Sequence, residues 1–154
     1  MLTEDRNEPK LHETKENGQN KAYLVLSPEE RAKGFVRPLR DSYIHVGRKY
    51  KGEPELLDES REFNGKKYVA TIPTLLDEQG KVISSAFITK PELDQYYKNG
   101  RIGGCQGETT MAHEIAETYA RKPDFYGATF CVHCGTHLPL NEFVWTDTDE
   151  IVGS

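Results

Sequence analysis

Residues Cys131-Val132-His133-Cys134-Gly135 constrain this chain more than any other stretch, because a Cys-x-x-Cys turn closed by glycine sets two sulfurs side by side on one short loop. The third cysteine, Cys105, lies in Gly103-Gly104-Cys105-Gln106-Gly107, a glycine-flanked loop whose backbone can approach a bound ion closely. Three cysteines cannot all pair, and they do not form the dense, even framework of a secreted disulfide domain. Three thiolates on one structural zinc ion, with metal–sulfur bonds of about 2.3 Å, account for them better.

A tetrahedral site needs a fourth donor, and two histidines offer themselves. Met111, Ala112, Ile115, Ala116, Tyr119 and Ala120 recur with helical spacing in Thr109–Arg121, and His113 lies at the edge of that apolar face, where its ring can turn inward. His137 follows Cys134 by three residues and can fold back as the chain leaves the turn. His133 lies inside the knuckle and is expected to point away. On the residues alone, the choice between His113 and His137 stays open.

Other uses of the cysteines fit less well. A redox dithiol needs a thioredoxin-like βαβ setting that this region lacks. A zinc deaminase carries His-x-Glu before Pro-Cys-x-x-Cys, but here Glu114 follows His113 directly and Phe130 stands where the proline belongs. Cys105 would also add a protein ligand and close the metal to water. His113-Glu114-Ile115-Ala116-Glu117 lacks the second histidine of a metalloprotease helix, and no phosphate loop or nucleophile elbow occurs elsewhere. No catalytic residues are assigned; a zinc hydrolase or deaminase-like enzyme is the third reading, after two non-enzymatic ones.

The rest of the chain reads as α+β, with small antiparallel sheets, short helices, and a C-terminal zinc-ribbon-like knuckle and hairpin. Residues 1–20 hold almost no large apolar groups and are expected to form a flexible acidic tail. The 154-residue length suits one domain over 21–154, with a zinc-binding part at about 101–154. Tyr23–Leu26 reads as extended, and Ser27-Pro28-Glu29-Glu30 as a helix start. Tyr43, Ile44 and Val46 suit a strand, and residues 48–66 a long polar loop. Tyr68–Ile72 and Val82–Ile88 flank turn chemistry at Asp77–Gly80 and predict an antiparallel pair. Thr89-Lys90-Pro91-Glu92 opens a helix that Gly100 stops, and Glu142–Trp145 with Glu150–Val152 flanks a final turn.

The net charge of −5 argues against a broad grip on nucleic acid, which depends on Lys and Arg neutralising phosphate. A local stripe of Arg37, Arg40, Arg48, Lys49 and Lys51, with Tyr43 and Tyr50, leaves nucleic-acid binding as the second reading. No apolar run is long enough to span a bilayer and the N-terminus has no apolar signal segment, so the expected setting is cytoplasmic, with no membrane partner.

Three segments carry a resemblance: Arg37-Pro38-Leu39-Arg40-Asp41-Ser42-Tyr43; Ile115–Arg121 with Phe125–Cys131; and Glu142–Trp145 before the closing Val152-Gly153-Ser154. Together, over roughly a third of the chain, they resemble small uncharacterised proteins of bacteriophages and prophages with a Gly-Cys loop, this helix and a Cys-x-x-Cys ending. The resemblance implies phage origin and the three cysteine ligands, and it favours His137 as the fourth because a histidine three residues beyond the knuckle is usual there. It implies no chemistry. The leading expectation is therefore a zinc-stabilised, non-enzymatic binding protein acting on a host protein in the host cytoplasm, in takeover or counter-defence.

Overall fold

The computed structural model describes residues 1–50 and 52–154. In chain order the strands are β1 (Leu2–Thr3), β2 (Tyr23–Leu24), β3 (Ser42–His45), β4 (Arg48–Lys49), β5 (Glu55–Phe63), β6 (Lys66–Leu76), β7 (Val82–Thr89), β8 (Arg101–Ile102), β9 (Glu108–Thr110), β10 (Ala128–Cys131), β11 (Thr136–Pro139) and β12 (Phe143–Trp145). The helices are α1 (Pro28–Arg31), α2 (Lys90–Asn99) and α3 (His113–Arg121). The class is mixed α+β, built from small, mainly antiparallel sheets. No helix among the described residues is long and apolar enough to cross a membrane.

Where the sequence reads as one domain behind a tail, the chain forms two compact units. Unit 1 comprises Met1–Val46 and Gly104–Ser154; unit 2 is the intervening Gly47–Gly103. Residues 1–20 belong to unit 1: β1 pairs with β2, Glu8 caps a 3-10 turn at Pro9–His12, and Thr14 bridges Asn20.

In unit 1, β3 lies between β12 and β9, with Tyr43 opposite Trp145 on one side and Thr109 on the other. Tyr43, Tyr119, Cys131, Phe143, Trp145 and Val152 form its core. Tyr43 meets Phe143 and Trp145 edge-on at 5.4 and 6.3 Å, a geometry that aligns ring edge with ring face. The expected helix over Thr109–Arg121 is shorter than its periodicity suggests, because Thr109 and Thr110 pair with β3 and the helix begins at His113. β10 and β11 form an antiparallel hairpin around the Cys131–Gly135 turn.

Unit 2 has its own core of Ala70, Ile72, Ile88, Leu93 and Ile102, supplied by β6, β7, α2 and β8. The antiparallel β6–β7 pair and its Asp77 turn are as expected; the Asp77 carboxylate accepts from the Gln79 and Lys81 amides at 2.9 and 2.8 Å. The Thr89/Glu92 capping box and a left-handed Gly100 bound α2. The expected loop at 48–66 instead contains β4 and the nine-residue β5. β5 is mostly exposed, so its charged residues satisfy its backbone by pairing with β6 without giving an apolar alternation.

Candidate metal centre

The centre lies in unit 1 and has four donors: His45, Cys105, Cys131 and Cys134, whose ligating atoms all lie within 4.8 Å of one another. Cys131 ends β10 and is fully buried, while Cys134 stands three residues on in the turn. That turn closes because Gly135 takes a left-handed φ of 69° and donates its N–H to the Cys131 carbonyl at 2.8 Å. Cys105 enters from the loop before β9, where Gly104 and Gln106 both have positive φ, of 82° and 60°. This reversal lets the Gln106 N–H reach the His45 carbonyl at 2.9 Å and the His45 N–H reach the Gly107 carbonyl at 3.2 Å. The loop thereby extends the β3–β9 pairing and carries Cys105 to His45 across 60 residues of sequence.

His45, only 5% exposed, is held on every side. Its ring lies against Phe143 at 4.8 Å, and its Nε2 lies 2.9 Å from Glu142 Oε1. A carboxylate oxygen accepts, so Nε2 donates to Glu142, and the Nδ1 lone pair, which takes the Cys105 N–H at 3.3 Å, also faces the Cys134 sulfur. Cys134 Sγ lies 3.5 Å from that Nδ1, and Cys105 Sγ lies 3.4 Å from Cys131 Sγ. A tetrahedral ion with bonds of about 2.3 Å to sulfur and 2.0–2.1 Å to nitrogen would set sulfur–nitrogen edges at roughly 3.5 Å and sulfur–sulfur edges at roughly 3.8 Å. The sulfur–nitrogen separation matches such an edge and the sulfur–sulfur pair would widen slightly, so the donor set can receive an ion of this kind with small shifts.

The thiols are electrostatically unequal. Burial opposes ionisation of Cys105, but the Gly107 N–H, donating to its sulfur over 3.4 Å, and bonds from the Cys131 and Cys134 thiols bring it down to about 7. Burial pushes the Cys134 thiol up to about 12, and the neighbouring sulfurs of Cys131 and Cys105 add to the rise. One thiol therefore ionises readily while another is held back by burial and by its sulfur neighbours, a conflict that a cation among them resolves. With four protein donors converging, the arrangement suits a closed structural site without an open position for water.

The structure brings the three expected cysteines together and places the expected histidines elsewhere. His137 Nε2 accepts from the Tyr23 hydroxyl at 2.9 Å, its ring packs 5.2 Å from Phe130, and burial lowers its pKa. His113 is on the outer side of α3, 65% exposed, with Nε2 3.5 Å from Glu117. His133 is not among the four donors; its ring lies against Gly107 and its Nε2 donates to the Glu108 carbonyl at 3.2 Å. His45 sits in the strand that the sequence indicated, but without a local ligand signature.

The basic stripe is divided between the units. In unit 1, Arg37 Nε donates to the Ser154 carbonyl at 3.0 Å, while Arg40 pairs with Glu150 and lies over the Trp145 ring at 5.0 Å. In unit 2, Arg48 lies over Tyr50 at 5.1 Å and Lys49 is exposed; Lys51 lies outside the described residues.

Glu142 acts on the centre through His45, and such outer carboxylates commonly govern metal affinity by one to two orders of magnitude. Glu142→Ala is expected to weaken metal retention by about 10–100-fold in a competitive chelator titration, whereas Glu142→Gln, whose carbonyl still accepts from Nε2, recovers most of it. Equal affinity in all three proteins would exclude this role. Comparison with known proteins finds no match: no family model fits the chain, and no curated protein and no solved structure is similar to it.

Proposed function

We propose that this chain is a zinc-stabilised, non-enzymatic binding protein of the bacteriophage type, acting on a protein of the host. The observation that carries the reading is the four-donor centre with Glu142 behind His45. Three thiolates and an imidazole in a tetrahedral arrangement favour zinc among the common divalent ions, and a full protein shell gives the ion a structural task. The phage assignment rests on the resemblance of the Arg37–Tyr43 stretch and the C-terminal segments.

A binding role finds support in unit 2, whose three-stranded sheet leaves Leu56, Phe63, Leu75, Val82, Ile83 and Phe87 exposed. Phe63, Tyr68 and Phe87 cluster with ring centroids 4.5–6.0 Å apart, Phe63 stacked on Tyr68 and edge-on to Phe87, and Arg61 lies over Phe87 at 5.7 Å. Aromatic and arginine side chains of this kind are the common anchors of protein interfaces.

Native mass spectrometry of the purified chain is expected to find one zinc per molecule. Nuclease-treated bacterial lysate is expected to yield a defined protein complex that Phe87→Glu with Ile83→Glu disrupts while zinc content is kept. A chain that binds no metal defeats the zinc part; capture of nucleic acid alone, sensitive to salt, favours the basic-stripe reading instead.

A further inference from the structure

We propose that unit 1 carries a binding site for a small amphipathic carboxylate, in a cavity between its N-terminal segment and the α3–β10 side. The cavity measures about 280 Å³, close to the lower end of small-molecule sites at roughly 300–1,000 Å³. Lys15, Gln19, Asn20 and Tyr23 line it from the N-terminal segment, and Met111, Ile115 and Phe130 are among the apolar groups opposite. It lies outside the metal centre, because none of the four donors borders it.

The cavity's wall is fixed by contacts that do not depend on its contents. The Tyr23 hydroxyl donates to His137 and accepts the Asn20 N–H at 3.1 Å. Gly18, with φ of 93°, sits so close to the knuckle that a Cβ there would lie 1.9 Å from the Gly135 carbonyl oxygen. Two further tyrosine hydroxyls of the lining are likewise committed: Tyr43 donates to the Phe130 carbonyl, and Tyr126 to that of Leu24. What the cavity offers a guest is therefore mainly apolar surface and ring edges, with Lys15 and Gln19 among its polar lining groups.

Charge selects the guest's head group. In a chain with 25 acidic residues and a net charge of −5, no Asp or Glu among the described residues borders the cavity, and the charged groups on its lining residues are the exposed Lys15 side chain and the Met1 ammonium. Tyrosine faces by themselves would favour a cation. Lys15 opposes that and favours an anion, with the alkyl or aryl tail directed to Met111 and Ile115. A guest on the order of ten non-hydrogen atoms suits the volume and corresponds to a Kd of about 100 µM.

Octanoate, octan-1-ol and octylammonium serve as probes, read by calorimetry and by amide chemical shifts of the full metal-loaded chain. Octanoate is expected to saturate the site and bind at least about tenfold tighter than either other probe. Lys15→Glu should lose about tenfold for octanoate and little for octan-1-ol, while Ala128→Trp, a filling change at an exposed lining position, should abolish both with metal content and fold intact. Absence of saturable octanoate binding by about 1 mM, equal binding of octylammonium, or indifference to Lys15→Glu would each overturn the proposal.

Discussion

His45→Ala is expected to strip the protein of its metal, whereas His137→Ala and His113→Ala each retain it. Removing the imidazole leaves three thiols, with Cys134 already held near 12 by burial and then by its sulfur neighbours, and no other described residue joins them to complete the tetrahedron. Metal affinity should fall by at least about 100-fold, a loss of roughly 3 kcal/mol or more. The same substitution empties a buried site beside Phe143 and leaves Glu142 without its partner, so the thermal midpoint should fall even in excess metal. His137→Ala instead removes the acceptor of the Tyr23 hydroxyl and should cost about 1–3 kcal/mol of stability with one metal ion still bound. Metal per chain by native mass spectrometry separates the cases: loss in His137→Ala with retention in His45→Ala would reverse the assignment.

The cysteines were legible because they form a local pattern, with Cys131 and Cys134 on one tight turn and Cys105 between glycines. His45 was not, since it comes within reach only when β3 pairs with β9 and β12. His137 and His113 have better local credentials, but one is claimed by Tyr23 and the other faces solvent. Proximity in sequence is thus a poor guide to the fourth ligand when a sheet supplies it.

The α+β class and the capped starts of α1 and α2 follow from local chemistry: Ser27 accepts from the Glu30 amide, and Thr89 from that of Glu92. The polar stretch at 48–66 misleads because β5 is exposed along nearly its whole length and needs no apolar alternation. Its signal lay in the turn. Asn64-Gly65, with φ of 53° and 75°, is the residue pair that a two-residue hairpin requires, and it joins Phe63 directly to Lys66. The late start of α3 has a similar origin: Thr109 and Thr110 carry apolar neighbours at helical spacing, but β-branched residues beside an open strand are better used in the sheet.

Metal removal should act on one unit far more than on the other. A structural site of this kind contributes on the order of 10–16 kcal/mol near neutral pH, comparable with the entire stability of a small domain at roughly 5–15 kcal/mol. All four donors belong to unit 1, where Cys131 is itself a core residue, whereas the Ala70/Ile72/Ile88/Leu93/Ile102 core of unit 2 includes none of them. Chelation should therefore abolish hydrogen-exchange protection in β3, β9 and the β10–β11 hairpin while β6 and β7 keep theirs. Acid should do the same without chelator, because a protonated thiol cannot ligate. Binding must displace a proton from Cys134 at any pH below about 12, and from Cys105 increasingly below about 7, so affinity falls as pH falls and falls more steeply below 7. Protection lost equally in β6 would mean that the two units unfold as one; protection kept in β10–β11 after the metal has left would mean that the aromatic core of unit 1 suffices alone.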